Sequence, residues 1–249
     1  MNMPGLERGE RARGRLLPHF LPAIILFACS FAQSQENEFQ ANITEDERAR
    51  AELLKRRAEQ GNAEAQLEIS KAFMKGYVFK PNPAEAVKWA RAAADQGLAQ
   101  AQVNLGSFYY VGGGVPQDYI KARSWFQKAA DQGNPVAEQN LAVMFANGQG
   151  GKQNFTTSMF WFEKAAQQGH PAAAYNLAAA YCNGIGIKKD EVKGYMWHLL
   201  ALHFGYRLSQ NDLKTLDKQM AEPDRIEASR RADEWLRAHP GLKPVSAEP

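Results

Sequence analysis

The sequence predicts an all-α solenoid of helix–turn–helix repeats, and three observations carry that prediction. Trp89, Trp125, Trp161 and Trp197 stand 36 residues apart. Gly61, Gly97, Gly133, Gly169 and Gly205 keep the same interval, as do Ala65, Ala101, Ala137 and Ala173 and the series Ile69, Leu105, Leu141 and Leu177. Within one interval the apolar residues Ala101, Leu105, Phe108 and Tyr109 recur at helical spacing, not at the alternation of a strand. A fixed period of this size, running without a gap, marks stacked units that bury their apolar faces only against one another.

Residues 1–32 have the order of a secretory signal. Arg8, Arg11, Arg13 and Arg15 precede an apolar stretch from Leu16 to Ala28, and Ser30 and Ala32 are placed for a cut before Gln33. Two other readings stay open: lipidation of Cys29, after the imperfect signal Leu26-Phe27-Ala28, and an uncleaved anchor, although Pro18 and Pro22 break the apolar run. All three place the protein outside the cytoplasm, and a periplasmic location is expected. Residues 33–44 are polar and read as a flexible linker. Thr44 and Glu47 form a T-x-x-E capping box that opens a helix over 45–60. Leu53 there takes the tryptophan position of the period. Terminal units have one neighbour, so this helix is expected to be a half-repeat that caps the array.

Four full units follow, over 61–96, 97–132, 133–168 and 169–205. In each, a first helix opens after the unit glycine, with Asn62 and Asn134 as N-caps and Pro135 and Pro171 in the first turn. It ends at a Gly-x-Gly turn, except in unit one, which has Gly76-Tyr77-Val78. The second helix starts from Asn82, Asp118, Asn154 or Asp190 and turns residues such as Trp125, Phe126, Ala129 and Ala130 inward. It stops at Gly97, Gly133, Gly169 or Gly205, read as left-handed C′ residues. The tryptophans are expected to be structural, filling the space between hairpins. Residues 206–239 predict two closing helices, one from Ser209 to Met220 and one from Arg225 to His239, with Pro223 interrupting between them. The second is expected to bury Ile226, Ala232, Trp235 and Leu236. Residues 240–249 form a Pro-rich tail, expected to be disordered.

Composition excludes several functions. The formal charge of +3 falls to +1 on loss of residues 1–32, which removes four arginines and two glutamates. A nearly neutral chain makes no electrostatic case for nucleic acid. Of the two cysteines, Cys29 lies in the signal, so the mature chain holds one thiol, Cys182, read as packing or groove lining. The histidines His19, His170, His198, His203 and His239 form no pair of metal-ligating spacing. No Gly-x-Ser-x-Gly or Ser-x-x-Lys nucleophile motif is present. No cofactor, metal or catalytic residue is expected, and the Gly-Gly-Gly run at 112–114 reads as the recurring turn of the repeat, not as a phosphate-binding loop.

Unit two carries a resemblance. Ala101-Gln102-Val103-Asn104-Leu105-Gly106, then Tyr109, Gly112, Gly114-Val115, Asp118, Lys121-Ala122, Trp125, Lys128-Ala129-Ala130 and Gly133 resembles nearly the whole Sel-one-like repeat pattern. The resemblance covers residues 45–205 and implies an α/α right-handed superhelix, related to the tetratricopeptide repeats and used for protein–protein contacts. Unit one departs with Glu68 and Ser70, and unit three with Ala142 and Ser158. In the tetratricopeptide relatives the first helices line a concave groove, where an asparagine meets a bound peptide's backbone. That places Asn104, Asn140 and Asn176 as candidate protein-binding residues, because one amide both donates and accepts. They could equally bond neighbouring helices and fix the superhelix. Gln100, Ser107, Tyr110, Asn147 and Asn183 share their faces, with Val111 and Tyr175. The expectation is a non-catalytic adaptor of the cell envelope that binds a protein or peptide partner. Membrane contact is expected only with an uncleaved signal or a lipidated Cys29. The alternative is a cell-wall ligand-binding or β-lactam-hydrolase-like repeat protein. Family members linked to β-lactams carry paired cysteines in each repeat, and this chain lacks those pairs.

Overall fold

The computed structural model describes residues 44–76, 78–207 and 220–242. The expected signal, residues 33–43 of the expected linker, most of the helix from Ser209 and the tail from 243 lie outside them. The described residues form ten helices and no strand. These are α1 (Glu45–Glu59), α2 (Ala63–Lys75), α3 (Pro83–Asp95), α4 (Ala99–Val111), α5 (Tyr119–Asp131), α6 (Pro135–Asn147), α7 (Phe155–Gln167), α8 (Pro171–Asn183), α9 (Glu191–His203) and α10 (Glu222–Ala238). Each unit is a helical hairpin, α2/α3, α4/α5, α6/α7 and α8/α9, and each second helix packs on the first helix of the next unit. Helix α1 lies against α2 and α10 against α9. The result is a helical repeat solenoid, with one continuous apolar seam from Leu67 to Ala232.

One residue per unit closes each hairpin. Asn82, Asp118, Asn154 and Asp190 accept at the side chain from the N–H of Glu85, Lys121, Thr157 and Lys193. Their own N–H groups donate to the carbonyls of Phe73, Tyr109, Phe145 and Tyr181 at 2.8–3.0 Å. The cap of the second helix is thereby tied to the aromatic residue of the first, which satisfies end groups on both. First helices vary more. Asn62 and Asn134 cap α2 and α6, the His170 imidazole Nδ1 accepts from Ala173 N–H at 3.3 Å, and Leu98 offers no side-chain bond.

The second glycine of the Gly-x-Gly turn has a packing reason. Gly150 holds φ +71°, and a Cβ there would lie 2.5 Å from the Tyr119 carbonyl oxygen, in the first turn of the preceding unit's second helix. Gly114 and Gly186 meet Pro83 and Phe155 in the same way. Two backbones approach here more closely than a side chain allows.

The two helices of a hairpin cross at a pair of small residues. The pairs are Ser70/Ala86, Ala142/Ser158 and Ala178/Gly194, and the period sets Gly106 against Ala122 in unit two. The departures of units one and three thus mirror each other. Ser70 Oγ donates to the Ala86 carbonyl, and Ser158 Oγ donates to the Ala142 carbonyl, both at 2.7 Å. Either helix can supply the hydroxyl that stitches the crossing.

Burial differs from the sequence expectation at the tryptophans. Trp161 and Trp197 are buried, but Trp89 and Trp125 are only half-buried. The deepest position is one residue later, where Ala90, Phe126 and Phe162 are fully enclosed. The same shift applies to α1: Leu54 packs on Ala58, Ala65 and Ile69, while Leu53 is 60% exposed. At the far end, Pro223 sits in the first turn of α10 and does not interrupt it, because a proline there forfeits no helical hydrogen bond. Ala228 and Ala232 are the buried residues of α10, and Ile226 is exposed. Trp235 meets Trp197 and Phe204 edge-on, with centroids at 5.7 and 5.9 Å, and stacks on His239 at 4.0 Å.

Candidate functional site

The asparagine series lies on the first helices at graded depth. Asn104 on α4 is half-buried, and its Oδ1 accepts from Gln100 Nε2 at 3.2 Å, one turn away. Asn140 on α6 and Asn176 on α8 are each only 2% exposed. Asn140 Oδ1 and Asn176 Nδ2 are enclosed without a hydrogen-bond partner. An unpaired buried polar atom costs on the order of 1–3 kcal/mol. Exposed Glu68 takes the equivalent place in unit one.

The neighbouring candidates divide by what they touch. Gln100, Asn147 and Asn183 are exposed, and Asn183 Nδ2 donates back to the Ala179 carbonyl. Ser107 Oγ is turned onto its own helix, donating to the Val103 carbonyl at 2.9 Å. Tyr110 reaches across to unit three, its hydroxyl donating to Gln149 Oε1 at 3.1 Å, and it packs edge-on against Tyr119. Burial raises its phenol pKa. Tyr110 therefore joins two turns as well as lining its face. Tyr175 stacks on Tyr206 at 4.3 Å and meets His198 edge-on. The structure keeps Gln100, Asn104 and Tyr110 on one helix with part of each accessible, and sets Asn140 and Asn176 deeper.

Three features were missed in the sequence. A polar rung recurs within each of the first three hairpins: Gln96 Nε2 donates to Gln66 Oε1, Gln132 Nε2 to Gln102 Oε1, and Gln168 Nε2 to Glu138 Oε2, at 2.7–2.8 Å. Its members repeat every 36 residues, so the period itself carried the signal. His198 occupies the deep position of Phe126 and Phe162, and burial lowers its pKa to about 4, leaving a neutral imidazole with an unpaired Nδ1. Cations also cover the first-helix aromatics: Arg123 lies 3.8 Å over Phe145 and Lys193 4.4 Å over Tyr181.

The Cys182 thiol is pushed up to about 11 by burial, and Gly194 leaves room for its sulfur, so it packs as an apolar group. Among the described residues no group of three or more His, Cys, Asp or Glu side chains could hold a metal. Nor, among them, is any helix long and apolar enough to cross a membrane.

Stacked helical hairpins with an ordered polar face define the class, a repeat solenoid of the kind that presents a surface to other proteins. Comparison with known proteins names the family. The Sel1 repeat model matches residues 63–98, 99–134, 135–170 and 171–203, and the chain belongs to the Sel1 repeat family. Sel1 repeats are a protein–protein interaction scaffold type, generally non-catalytic. Among solved structures, the chain is similar to c5321, a protective antigen present in uropathogenic Escherichia coli strains and displaying an SLR fold. The identity is 27% and the TM-score 0.71, over 85% of this chain and 47% of that one. It thus spans about half the length of that relative. A Sel1 repeat protein from Oxalobacter formigenes is 28% identical with a TM-score of 0.59, each chain covered to 76%. No curated protein matches the chain.

Proposed function

We propose that this protein is an exported, periplasmic adaptor that holds a partner protein or peptide on its first-helix face and catalyses nothing itself. The export reading rests on the basic–apolar–small order of residues 1–32. The observation that carries the binding reading is the α4 end of the asparagine series, where Gln100 is exposed and Asn104 half-buried, while Asn140 and Asn176 lie deeper. An extended backbone offers the complementary N–H and C=O groups at regular intervals. Their burial favours the second reading, in which the asparagines fix the superhelix. On α4 the partly open amides of Gln100 and Asn104 stay within a partner's reach, and the binding reading rests there. A preformed face also has less entropy to lose when the partner arrives.

The test is capture from envelope extract on immobilised residues 33–249, beside a triple variant with Asn104, Asn140 and Asn176 changed to Ala. A partner retained by the parent and lost by the variant, with both folded by circular dichroism, supports the proposal. Equal retention by both moves the interface off the first helices. Hydrolysis of a chromogenic β-lactam by the purified chain well above blank would overturn the non-catalytic reading.

A further inference from the structure

The rung at the base of the hairpins departs from its own pattern at one place. In units one and two the rung is a pair of amides doing two things at once. Gln66 accepts from Gln96 and donates from Nε2 to the Ala58 carbonyl at 3.0 Å. Gln102 accepts from Gln132 and donates to the Ala94 carbonyl at 3.3 Å. The glutamine thereby ties its own first helix to the C-terminal turn of the preceding second helix. In unit three the same position is Glu138, which is 1% exposed. Its Oε2 accepts from Gln168 at 2.8 Å, as the pattern requires. By the 36-residue register its other oxygen corresponds to the NH2 of the glutamines, and the corresponding carbonyl is that of Ala130. A carboxylate has only acceptors to set against a carbonyl, whereas a carboxylic acid has an O–H to donate.

We infer that Glu138 in its neutral acid form donates to the Ala130 carbonyl as its glutamine counterparts do, and that its ionisation loosens the junction between the second and third hairpins. Burial raises the Glu138 pKa, against an opposing pull from Lys164 on α7 and the bond from Gln168. The other packed elements add little charge. Lys128 and Asp131 end α5 exposed, Lys128 over the Trp125 ring and Asp131 accepting from Gln127. Helix α8 has no charged residue in its first two turns and opens at His170, whose pKa burial lowers to about 4. A raised carboxyl pKa stabilises the fold fully below the ordinary glutamate value of 4.5, and this contribution is lost as pH rises through the folded-state value. The junction is therefore firmest in acid and weakens towards neutral and alkaline pH. Units one and two, with amides at this place, lack that response.

Two readouts test this on the purified chain. With glutamate carboxyls labelled with carbon-13, one resonance should titrate above the ordinary glutamate value, disappear in Glu138→Gln, and move to still higher pH in Lys164→Gln. In parallel, the melting temperature of Glu138→Gln should exceed that of the parent by roughly 2–4 °C at pH 8 and match it at pH 4.5. No high-titrating resonance in the parent, a downward move in Lys164→Gln, or a melting difference equal at both pH values would overturn the inference. The parent's titration stands even if Glu138→Gln does not fold.

Discussion

Phe126 and Phe162 are enclosed on every side, whereas Trp125 keeps one face under the Lys128 ammonium, 3.7 Å from its ring. Phe126→Ala is therefore expected to cost about 3–5 kcal/mol, and Trp125→Ala clearly less, by urea denaturation. The reverse order would show that the tryptophan is the anchor. His198, at the same deep position, adds a pH dependence. Burial lowers its pKa from 6.5 to about 4, so the unfolded chain takes up the proton first. Stability is full above pH 6.5 and falls as pH drops towards 4, by up to about 3 kcal/mol from this residue. His198→Phe should flatten that part of the stability curve, and an unchanged acid limb would rule the imidazole out. The tryptophan series was visible in the sequence, but which neighbour lies deepest was not. Adjacent helix residues point about 100° apart, and only the crossing geometry selects between Trp125 and Phe126 or between Leu53 and Leu54. The asparagines could be placed on the first helices, while their graded burial depends on packing between units and leaves no mark on one sequence.

At the level of elements, the turns and caps follow from local chemistry and were read with the period alone. The second glycine of each Gly-x-Gly carries a demand from outside its own unit. Gly150→Ala combines a left-handed φ of +71° with a clash on Tyr119, so it should cost well over 1 kcal/mol in denaturant melts. Asn134→Ala removes a cap that accepts from Val136 and Ala137, and should cost about 1 kcal/mol. A larger loss from Asn134 than from Gly150 would show that the contact between units is soft. The serine stitches explain why units one and three tolerate departures from the repeat pattern. A hydroxyl on either helix makes the same bond, which a position-by-position reading cannot recognise.

Across the whole molecule, the main contacts of each described hairpin are with its neighbours, so the ends matter as much as the middle. Helix α10 covers Trp197 and Phe204 through Trp235. Truncation after Gln219 should lower the melting temperature and produce concentration-dependent association in light scattering, because an apolar end is uncovered. A monodisperse truncated chain would make α10 dispensable. The central claim is that the first-helix face, not the second-helix surface, receives the partner. The most direct measurement places a photo-reactive residue at Gln100, exposed on α4, or at Ile120, 72% exposed on α5, and cross-links in the cell. A discrete adduct from Gln100 and none from Ile120 is the predicted result. An adduct from Ile120 alone would contradict the account and assign binding to the opposite surface.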